Sequence, residues 1–470
     1  MDIIITPGML RGTLEAPPSK SHAHRLMTAT ALAGGKISES LCTSEDTRAT
    51  FRCLNELHDG GVLDCGESGT TLRFLLPVAS ALGINAEFIG HGRLPERPMS
   101  ALTDALRENG AVISADNLPI KVSGQLHPGV FRVPGNISSQ FISGLLFALP
   151  LLDGDSEIVI EGKRESVGYI DMTLDTLRSF SINIEETQSG YKIKGPQKYL
   201  EPDSPRVQGD WSNAAFFLCA GALGGETDIT GLSLDSRQSD RAVVNILKDF
   251  GADVKCGDMI SVRGNGLRGI KIDISQCPDL FPTLAATACA ALGDTIFTNA
   301  ARLRIKESDR IEAVEKMINS LGGFAESTED SLTVCGTGML PGGEVDSFND
   351  HRIVMAAAVA ACRKAADGEP VPENLLEHLN AVFSRSGFTD GYLSAHRGRV
   401  MFGTRTKEDV ESANSAVFAQ LHTLYKNEAQ RVPVTFTLSA FAGENPRVTV
   451  SDGENEAVVT AEAVSYTHLR

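Results

Sequence analysis

The chain has 470 residues, 42% of them hydrophobic, and a formal net charge of −17 at pH 7. This length allows two or three domains with sizeable cores, and the acidic balance argues against nucleic acid or an anionic membrane as a partner. No apolar run is as long as a membrane span and no signal peptide is evident. The nine cysteines form no CxxC pair and no Cys/His cluster, which favours a reduced cytosol and indicates no metal site.

At six places along the chain, a turn rich in Gly, Pro, Ser, Asp or Asn opens into an apolar, mostly alanine-rich helix. The segments are PSKSHAHRLMTATALAGG, GESGTTLRFLLPVASALG, GNISSQFISGLLFALP, GDWSNAAFFLCAGALGG, CPDLFPTLAATACAALG and FNDHRIVMAAAVAAC. Their anchors are separated by 48, 70, 72, 69 and 71 residues and are Lys20, Ser68, Ser138, Asp210, Asp279 and Asp350. Such a period indicates one repeated supersecondary unit. Because helix starts favour anions and several of these carry Lys or Arg, the repeat predicts a cleft for a strongly anionic substrate.

A second, amphipathic helix follows each of these helices, as in RAVVNILKDFGA and RIEAVEKMINSLGG, with short alternating strands such as SEIVIEGK and IKIDIS between them. The unit is therefore predicted to run strand–helix–strand–helix–strand–strand, in an α/β architecture. The separation between the first two anchors is shorter than the other separations by about the length of one hairpin. Six units predict two domains of three units each, and one long doubly wound sheet is the alternative.

The repeat stops in the sixth unit. A polar stretch, ADGEPVPENLLEH, follows it, and the chain later becomes strand-rich in VPVTFTLSAFAGENPRVTVSDGENEAVVT. Neither stretch carries the helix signature of the six units. Residues 364–470 are therefore predicted to form a tail that is foreign to the first 363 residues.

Polar and charged side chains gather at the helix starts and in two loops. The motifs PPSKSHAHR, RLPERPM, NISSQF, CPDLFP, RLRIKESDR and NDHR supply Lys20, Ser21, Arg25, Arg93, Arg97, Ser138, Ser139, Gln140, Asp279, Arg302, Arg304, Lys306, Glu307, Asp309, Arg310, His351 and Arg352. Each motif alone also has an ordinary explanation, such as a helix cap by Ser21 or Asp279, a rigid turn or a solvated charged face. The density of RLRIKESDR, between a strand and a helix, favours an active-site loop.

Taken together and in this order, the motifs resemble the EPSP synthases, the 3-phosphoshikimate 1-carboxyvinyltransferases of the shikimate pathway, over residues 1 to about 363. The resemblance implies a two-domain inside-out α/β barrel of six βαβαββ repeats, the sixth incomplete. It implies one domain built from residues 1–12 and 209–363, a second from 13–208, and an additional α/β tail over 364–470. The N-terminal strand should cross into the domain formed after about residue 208.

The implied reaction moves the carboxyvinyl group of phosphoenolpyruvate onto the 5-hydroxyl of shikimate 3-phosphate and releases phosphate, a step in chorismate and aromatic amino-acid biosynthesis. No metal or other cofactor is implied. We expect small-molecule substrates as partners, with no nucleic acid and no membrane, and a monomer in the cytoplasm.

The resemblance also implies roles for individual residues. The shikimate 3-phosphate contacts are Lys20, Ser21, Arg25, Ser138, Ser139, Gln140, Ser166, Tyr169, Asp279 and Lys306. The phosphoenolpyruvate contacts are Lys20, Gly69, Arg97, Gln140, Arg310 and Arg352. The catalytic group is Asp279 as the base for the attacking hydroxyl, Glu307 with Lys306 beside it as the proton donor to the methylene carbon, and Lys20.

The chain departs from the family after Arg363, where a Lys-Ser/Thr-Tyr/Phe-Pro segment whose lysine contacts phosphoenolpyruvate is expected and not found. We therefore expect an unpaired edge in the sixth unit and impaired activity, unless Lys364, Arg385 or Arg397 replaces that lysine. The segments SRSGFTDGY and MFGTRTKEDV resemble a C-terminal region of the U32 peptidase family, which suggests a chimeric gene product. No peptidase activity is assigned to it.

Two alternative functions stay open at this point. The chain could be a catalytically weak or inactive fragment that binds shikimate 3-phosphate. It could also be a UDP-N-acetylglucosamine 1-carboxyvinyltransferase, whose family opens with a Gly-Ala-Lys-Asn type segment and carries a Cys in a mobile loop. The opening PSKSHAHR and the Cys-free RLPERPM segment disfavour this second alternative.

Overall fold

The computed structural model describes residues 3–5, 8–203, 205–338, 340–362, 399–403, 435–439, 447–451 and 456–460. Its α-helices are α1 (Lys20–Leu32), α2 (Glu45–Glu56), α3 (Gly69–Ala81), α4 (Ser100–Glu108), α5 (Ser139–Ala148), α6 (Val167–Ser179), α7 (Trp211–Ala222), α8 (Val243–Phe250), α9 (Phe281–Cys289), α10 (Arg310–Ser320) and α11 (His351–Ala360). None of these described helices is long and apolar enough to cross a membrane.

The strands within the described ranges are short, as the sequence pattern predicts. They are β1 (Ile3–Ile5), β2 (Arg11–Glu15), β3 (Gly61–Asp64), β4 (Ala86–Ile89), β5 (Val112–Ile113), β6 (Ile120–Ser123), β7 (Val130–Pro134), β8 (Ser156–Glu161), β9 (Ile184–Glu186), β10 (Gly190–Ile193), β11 (Glu226–Thr230), β12 (Asp253–Cys256), β13 (Ile260–Arg263), β14 (Lys271–Asp273), β15 (Leu292–Thr298), β16 (Phe324–Ser327), β17 (Leu332–Thr337), β18 (Gly342–Asp346), β19 (Arg399–Gly403), β20 (Thr435–Ser439), β21 (Arg447–Ser451) and β22 (Glu456–Thr460).

Four sheets repeat one topology. Their strand orders are β3-β4-β6-β5, β7-β8-β10-β9, β2-β11-β13-β12 and β14-β15-β17-β16. In each sheet the first two strands are parallel and the last two form an antiparallel hairpin that pairs with the second strand. The predicted βαβαββ unit is therefore observed. Unit one departs from this order, because residues 33–44 contain no strand between α1 and α2, and its lack of a hairpin between α2 and β3 agrees with its shorter step.

The Ala-rich helices lie inside and the sheets outside. Every residue of α7 is buried, and a helix that is apolar on all sides must be surrounded by other elements. Helix α3 packs on α5, and α11 packs on both α7 and α9. The strands β8 and β17 alternate between buried and more exposed positions, which is the pattern of sheets with one face on the core and one toward solvent.

The buried apolar residues separate into two clusters. One joins Ile5, Leu10 and Ala16 to residues between 211 and 362, and the other contains residues between 23 and 199. Two chain segments connect them: Asp210 donates its backbone N–H to the carbonyl of Pro17 at 2.8 Å, and Ser19 donates to Gln208 at 2.7 Å. These two clusters support the two-domain division, which stays a prediction.

The first crossing lies later than the predicted boundary at residue 12. Strand β2 continues to Glu15 and pairs in parallel with β11 along its whole length, and Ala16 is buried in the same cluster as β11. Residues 13–16 therefore belong with the elements after residue 208. The sequence did not reveal this because a strand is defined by its partner, here more than 200 positions away along the chain.

The expectation of an unpaired edge on β18 is wrong. Strand β19, from the tail, lies between β1 and β18 in a three-stranded sheet. It runs parallel to β1 and antiparallel to β18, whereas the first two strands of the other four units are parallel. The tail also forms an antiparallel sheet of β20, β21 and β22. Lys364, Arg385 and Arg397 lie outside the described residues.

Candidate active site

One cavity is lined by the starts of helices from both clusters. Its lining includes every residue that the family resemblance implies as a substrate contact or catalytic group: Lys20, Ser21, Arg25, Gly69, Arg97, Ser138, Ser139, Gln140, Ser166, Tyr169, Asp279, Lys306, Glu307, Arg310 and Arg352. The repeat brings these distant residues together because each unit points the N-terminus of a helix toward the same space. Backbone N–H groups and cations at helix starts favour anions.

Helix capping explains which polar side chains are available to a ligand. Ser68, Asp210 and Asp350 cap α3, α7 and α11 by accepting backbone N–H bonds, and Ser138 accepts from the backbone of Gln140. Helix α1 is capped by Ser19, so the alternative of Ser21 as its cap is wrong. The Ser21 side chain therefore remains available in the cavity.

Asp279 is not a helix cap either. It lies in a short turn before α9, which begins without a side-chain cap. Its Oδ1 accepts from Arg310 at 2.7 Å and lies 3.7 Å from Lys306 Nζ, and its Oδ2 accepts from Arg352 at 3.3 Å. Burial raises the pKa of this carboxyl, but the nearby Arg352, Lys306 and Arg310 hold it well below its usual range.

Glu307 is the second carboxylate of this centre. It accepts from Arg310 Nη2 at 2.6 Å and lies 3.6 Å from Arg97 Nη1. Burial again raises its pKa, while Arg310, Arg97 and Lys306 keep it well below the ordinary value. Asp279 and Glu307 therefore bind the two terminal nitrogens of one guanidinium, which places both carboxylates next to each other in the cavity.

Arg310 is held rigidly by a third carboxylate. Its Nε donates to Asp350 at 2.9 Å, and Asp350 also accepts from Ser308 at 3.0 Å. The side chains of Arg310 and Asp350 are 1% and 0% exposed. Because buried ion pairs need this degree of hydrogen bonding to be stable, Asp350 fixes the guanidinium in place.

The two lysines of the cavity differ in their environment. Lys20 forms a 2.9 Å ion pair with Asp46, and although burial opposes its charge, Asp46 raises its pKa overall. Burial lowers the pKa of Lys306 to about 8, with Asp279 partly opposing that effect. Of these two lysines, Lys306 is therefore the one whose pKa is lowered.

The opposite end of the cavity is formed by uncharged donors around Arg25. This arginine donates to Thr173 Oγ1 at 2.8 Å, to the Tyr169 carbonyl at 2.8 Å and to the Ser21 carbonyl at 2.7 Å. Burial lowers its pKa to about 10. Hydroxyl groups beside a guanidinium suit a phosphate group and the hydroxyls of a sugar-like ring.

Ser166 connects the two clusters across the cavity. It has a positive φ of 54° at the start of α6, and its Oγ accepts from Arg302 Nη2 at 2.5 Å instead of capping the helix. On the next turn, Tyr169 Oη donates to Asp240 at 3.4 Å. Both contacts join residues of one cluster to the elements of the other.

Some lining residues were not assigned a role from the sequence: Asp46, Thr70, Arg73, Pro98, Ile137, Pro278, Arg302, Ile305 and His351. Arg302 and His351 belong to motifs that the sequence had singled out. Arg73 lies in the second of the six repeated segments but was given no role, and Asp46 lies in a helical segment that was not singled out.

Some residues of the charged loop RLRIKESDR line the cavity and others lie outside it. Arg304 lies outside the cavity lining and pairs with Asp309, which caps α10. Arg93 likewise lies outside and pairs with Glu96 at 3.5 Å. These residues follow the ordinary explanation of a solvated charged loop.

The chain was compared with known proteins. The sequence profile of the EPSP synthase family (3-phosphoshikimate 1-carboxyvinyltransferase) matches residues 58–374. The 3-phosphoshikimate 1-carboxyvinyltransferase of Clostridium novyi (strain NT) is 41% identical over 398 residues, covering 77% of this chain and 91% of that protein. The protein of the same name from Clostridioides difficile (strain 630) is 41% identical over 397 residues, covering 76% and 90%.

Two solved structures share the fold. An EPSP synthase from Acinetobacter baumannii superposes with a TM-score of 0.63 at 24% identity, covering 83% of this chain and 98% of that one. The enolpyruvyl transferase NikO from Streptomyces tendae superposes with a TM-score of 0.58 at 15% identity, covering 85% and 91%. The predicted α/β fold is thereby confirmed. By its profile match and its sequence identity to these relatives, the chain belongs to the EPSP synthase family.

Proposed function

We propose that this chain transfers the carboxyvinyl group of phosphoenolpyruvate to the 5-hydroxyl of shikimate 3-phosphate and releases phosphate. The observation that carries the proposal is the pair of carboxylates, Asp279 and Glu307, bound to one buried guanidinium inside a cavity rich in cations. Two proton carriers beside several cations are what addition of an alcohol to an anionic enol phosphate requires.

The ends of the cavity suit the two substrates differently. The hydroxyl-rich end is assigned to shikimate 3-phosphate and contains Ser21, Arg25, Ser138, Ser139, Gln140, Ser166 and Tyr169. The arginine-rich end is assigned to phosphoenolpyruvate and contains Gly69, Arg97, Arg310 and Arg352. Planar guanidinium groups bind carboxylate and phosphate through two parallel hydrogen bonds. Lys20 and Gln140 are assigned to both substrates, and Asp279 and Lys306 to shikimate 3-phosphate.

The reaction needs two groups that carry protons, and the family resemblance assigns these roles to the two carboxylates. Addition of the 5-hydroxyl to the enol carbon needs one proton removed from that hydroxyl, which Asp279 accepts, and one proton given to the methylene carbon, which Glu307 delivers. Expulsion of phosphate then breaks the C–O bond, Glu307 takes back a proton from the new methyl group to restore the vinyl group, and the phosphate leaves with the proton held by Asp279. The cations stabilise the negative charge on the leaving phosphate.

The substrate-free charge pairs link the binding of phosphoenolpyruvate to proton transfer. Arg310 and Arg352 hold the pKa of Asp279 low, which makes it a weak base. When anionic phosphoenolpyruvate draws these two arginines toward itself, their hold on Asp279 weakens and its basicity rises. The same argument applies to Glu307, which shares Arg310 and also faces Arg97.

The test is phosphate release from phosphoenolpyruvate in the presence of shikimate 3-phosphate, with UDP-N-acetylglucosamine as the competing acceptor. Release with shikimate 3-phosphate only supports the proposal, and release with the nucleotide sugar only contradicts it. Calorimetric binding of shikimate 3-phosphate without any release would favour the non-catalytic binding alternative.

The remaining expectations stand as part of the same proposal. We propose a cytoplasmic monomer whose partners are these two small molecules, with the two chain crossings near residues 17–19 and 208–210 separating its domains. We further propose that phosphoenolpyruvate binding is weaker than in relatives with the Lys-Ser/Thr-Tyr/Phe-Pro segment, because the sequence after Arg363 does not contain that segment and its lysine.

A further inference from the structure

Most of the cationic side chains that line the cavity form ion pairs with carboxylates of the described residues, but two do not. Eight lysine and arginine side chains line it, and six of them form ion pairs with carboxylates of the chain: Lys20, Arg97, Arg302, Lys306, Arg310 and Arg352. Within the described residues, Arg25 and Arg73 are the two without such a pair. Arg25 already belongs to the proposed shikimate 3-phosphate site, whereas Arg73 has no assigned role.

Arg73 is buried, although it has no carboxylate partner. It lies one turn after Gly69 on α3 and is 3% exposed. Its Nη1 donates to Gln140 Oε1 at 2.8 Å, its Nη2 donates to the Pro98 carbonyl at 3.4 Å, and its Nε has no hydrogen-bond partner. A buried guanidinium without a counter-charge destabilises the free protein, so an external anion is the expected counter-charge.

Arg73 lies beside the proposed phosphoenolpyruvate site. A Cβ atom on Gly69 would lie 3.1 Å from Arg73 Nη1 and 2.8 Å from Arg97 Nη1. Two guanidinium groups therefore approach the same glycine. Burial and then the like charge of Arg97 lower the pKa of Arg73, while Glu307 partly opposes this effect.

Arg73 also determines the orientation of Gln140. The Gln140 oxygen accepts from Arg73, while its amide nitrogen donates to Thr70 Oγ1 at 2.6 Å. Both Gln140 and Thr70 line the cavity. These two bonds hold the amide oxygen of Gln140 toward Arg73 and its amide nitrogen toward Thr70. The nitrogen is a hydrogen-bond donor, which is the kind of group that binds an anion.

We propose that Arg73 is a positioning residue for phosphoenolpyruvate: it orients the Gln140 amide and supplies the unneutralised positive charge beside Gly69 and Arg97. The inference rests on the proposed function, because it names the residue that completes the anion site of that reaction. It predicts that Arg73 affects phosphoenolpyruvate binding more strongly than shikimate 3-phosphate binding, to which Gln140 is also assigned.

The experiment compares Arg73→Gln, Arg73→Lys and the control Arg93→Gln, whose arginine is exposed and lies outside the cavity lining. We expect Arg73→Gln to raise the phosphoenolpyruvate Kd and KM by about 10- to 100-fold, the loss of one or two hydrogen bonds to a charged group. Arg73→Lys should recover part of that loss because it keeps the charge. The shikimate 3-phosphate Kd should change several-fold less than the phosphoenolpyruvate Kd, and kcat should change little.

An unchanged phosphoenolpyruvate Kd in Arg73→Gln, or an equal loss for both substrates, would overturn the proposal. Calorimetry measures these affinities without turnover. A failure of the Arg73 proposal can therefore be distinguished from a failure of the proposed function, which is tested by phosphate release from the wild-type protein. Should Arg73→Gln not fold, Gln140→Glu decides. A carboxylate at that position gives Arg73 an internal partner and should raise Tm while weakening phosphoenolpyruvate binding, and a raised Tm with unchanged binding would refute the charge argument.

Discussion

Replacement of Asp279 by asparagine tests the proposed base most directly. The substitution keeps the size of the side chain and removes the charge that pairs with Arg310, Arg352 and Lys306. Loss of a general base typically reduces kcat by about 10²- to 10⁴-fold, which corresponds to about 3–5 kcal/mol of transition-state stabilisation.

The cost in stability should be smaller than the cost in catalysis. Arg310 keeps Glu307 and Asp350 as partners, so the loss resembles that of one charged hydrogen bond, about 1.5–3 kcal/mol. Phosphoenolpyruvate binding should not weaken, because Arg352 and Lys306 lose an internal competitor for the anion. The variant is thus expected to fold, to bind both substrates and to turn over slowly.

The assay is continuous measurement of phosphate release, with kcat and both KM values determined for the wild type and for Asp279→Asn. Asp253→Asn, on the exposed surface of β12, is the matched control and should retain the wild-type kcat. A wild-type kcat in Asp279→Asn would remove this residue from the mechanism. A loss confined to the KM of shikimate 3-phosphate would reassign it to binding.

Four further outcomes are expected. The kcat/KM for phosphoenolpyruvate should fall as pH rises through about 8, where Lys306 loses its proton, and Lys306→Arg should move that limb to higher pH; a limb that stays in place contradicts the assignment. Gly69→Ala should raise the phosphoenolpyruvate KM about tenfold, because the new Cβ would lie 2.8 Å from Arg97 Nη1, and an unchanged KM would argue against that site. Arg310→Met should lower the free energy of unfolding by about 3–5 kcal/mol in urea titrations, since Asp350 stays buried without its arginine, whereas Arg93→Met should change it little because Arg93 pairs with the exposed Glu96. Exchange of residues 364–470 for a family-type C-terminus should lower the phosphoenolpyruvate KM by about tenfold or more through the added lysine contact, and equal KM values would show that the present tail compensates.

The local elements and their repetition could be predicted from the sequence because they depend on neighbours. The Ala-rich helices and their polar starts follow from 3.6-residue periodicity and capping chemistry, both of which act within a few positions. The spacing between units then indicated a repeat. The charged and hydroxyl-bearing motifs at those starts indicated an anion site and led to the EPSP synthase family, which the comparisons confirm.

The pairing of elements and the state of each charge were decided by the tertiary structure. Asp279 has the same local sequence whether it caps a helix or pairs with three cations, and those cations lie 27 to 73 positions away. Strand β19 joins β1 and β18 through backbone hydrogen bonds that any sequence can form, so the composition of the tail could not reveal it. Arg73 lies in one of the repeated helix-start segments and Asp46 in an ordinary helical one, and the position of both side chains at the cavity depends on distant elements. Periodicity and capping act over short stretches of chain, whereas burial and electrostatics act between residues that only folding brings together.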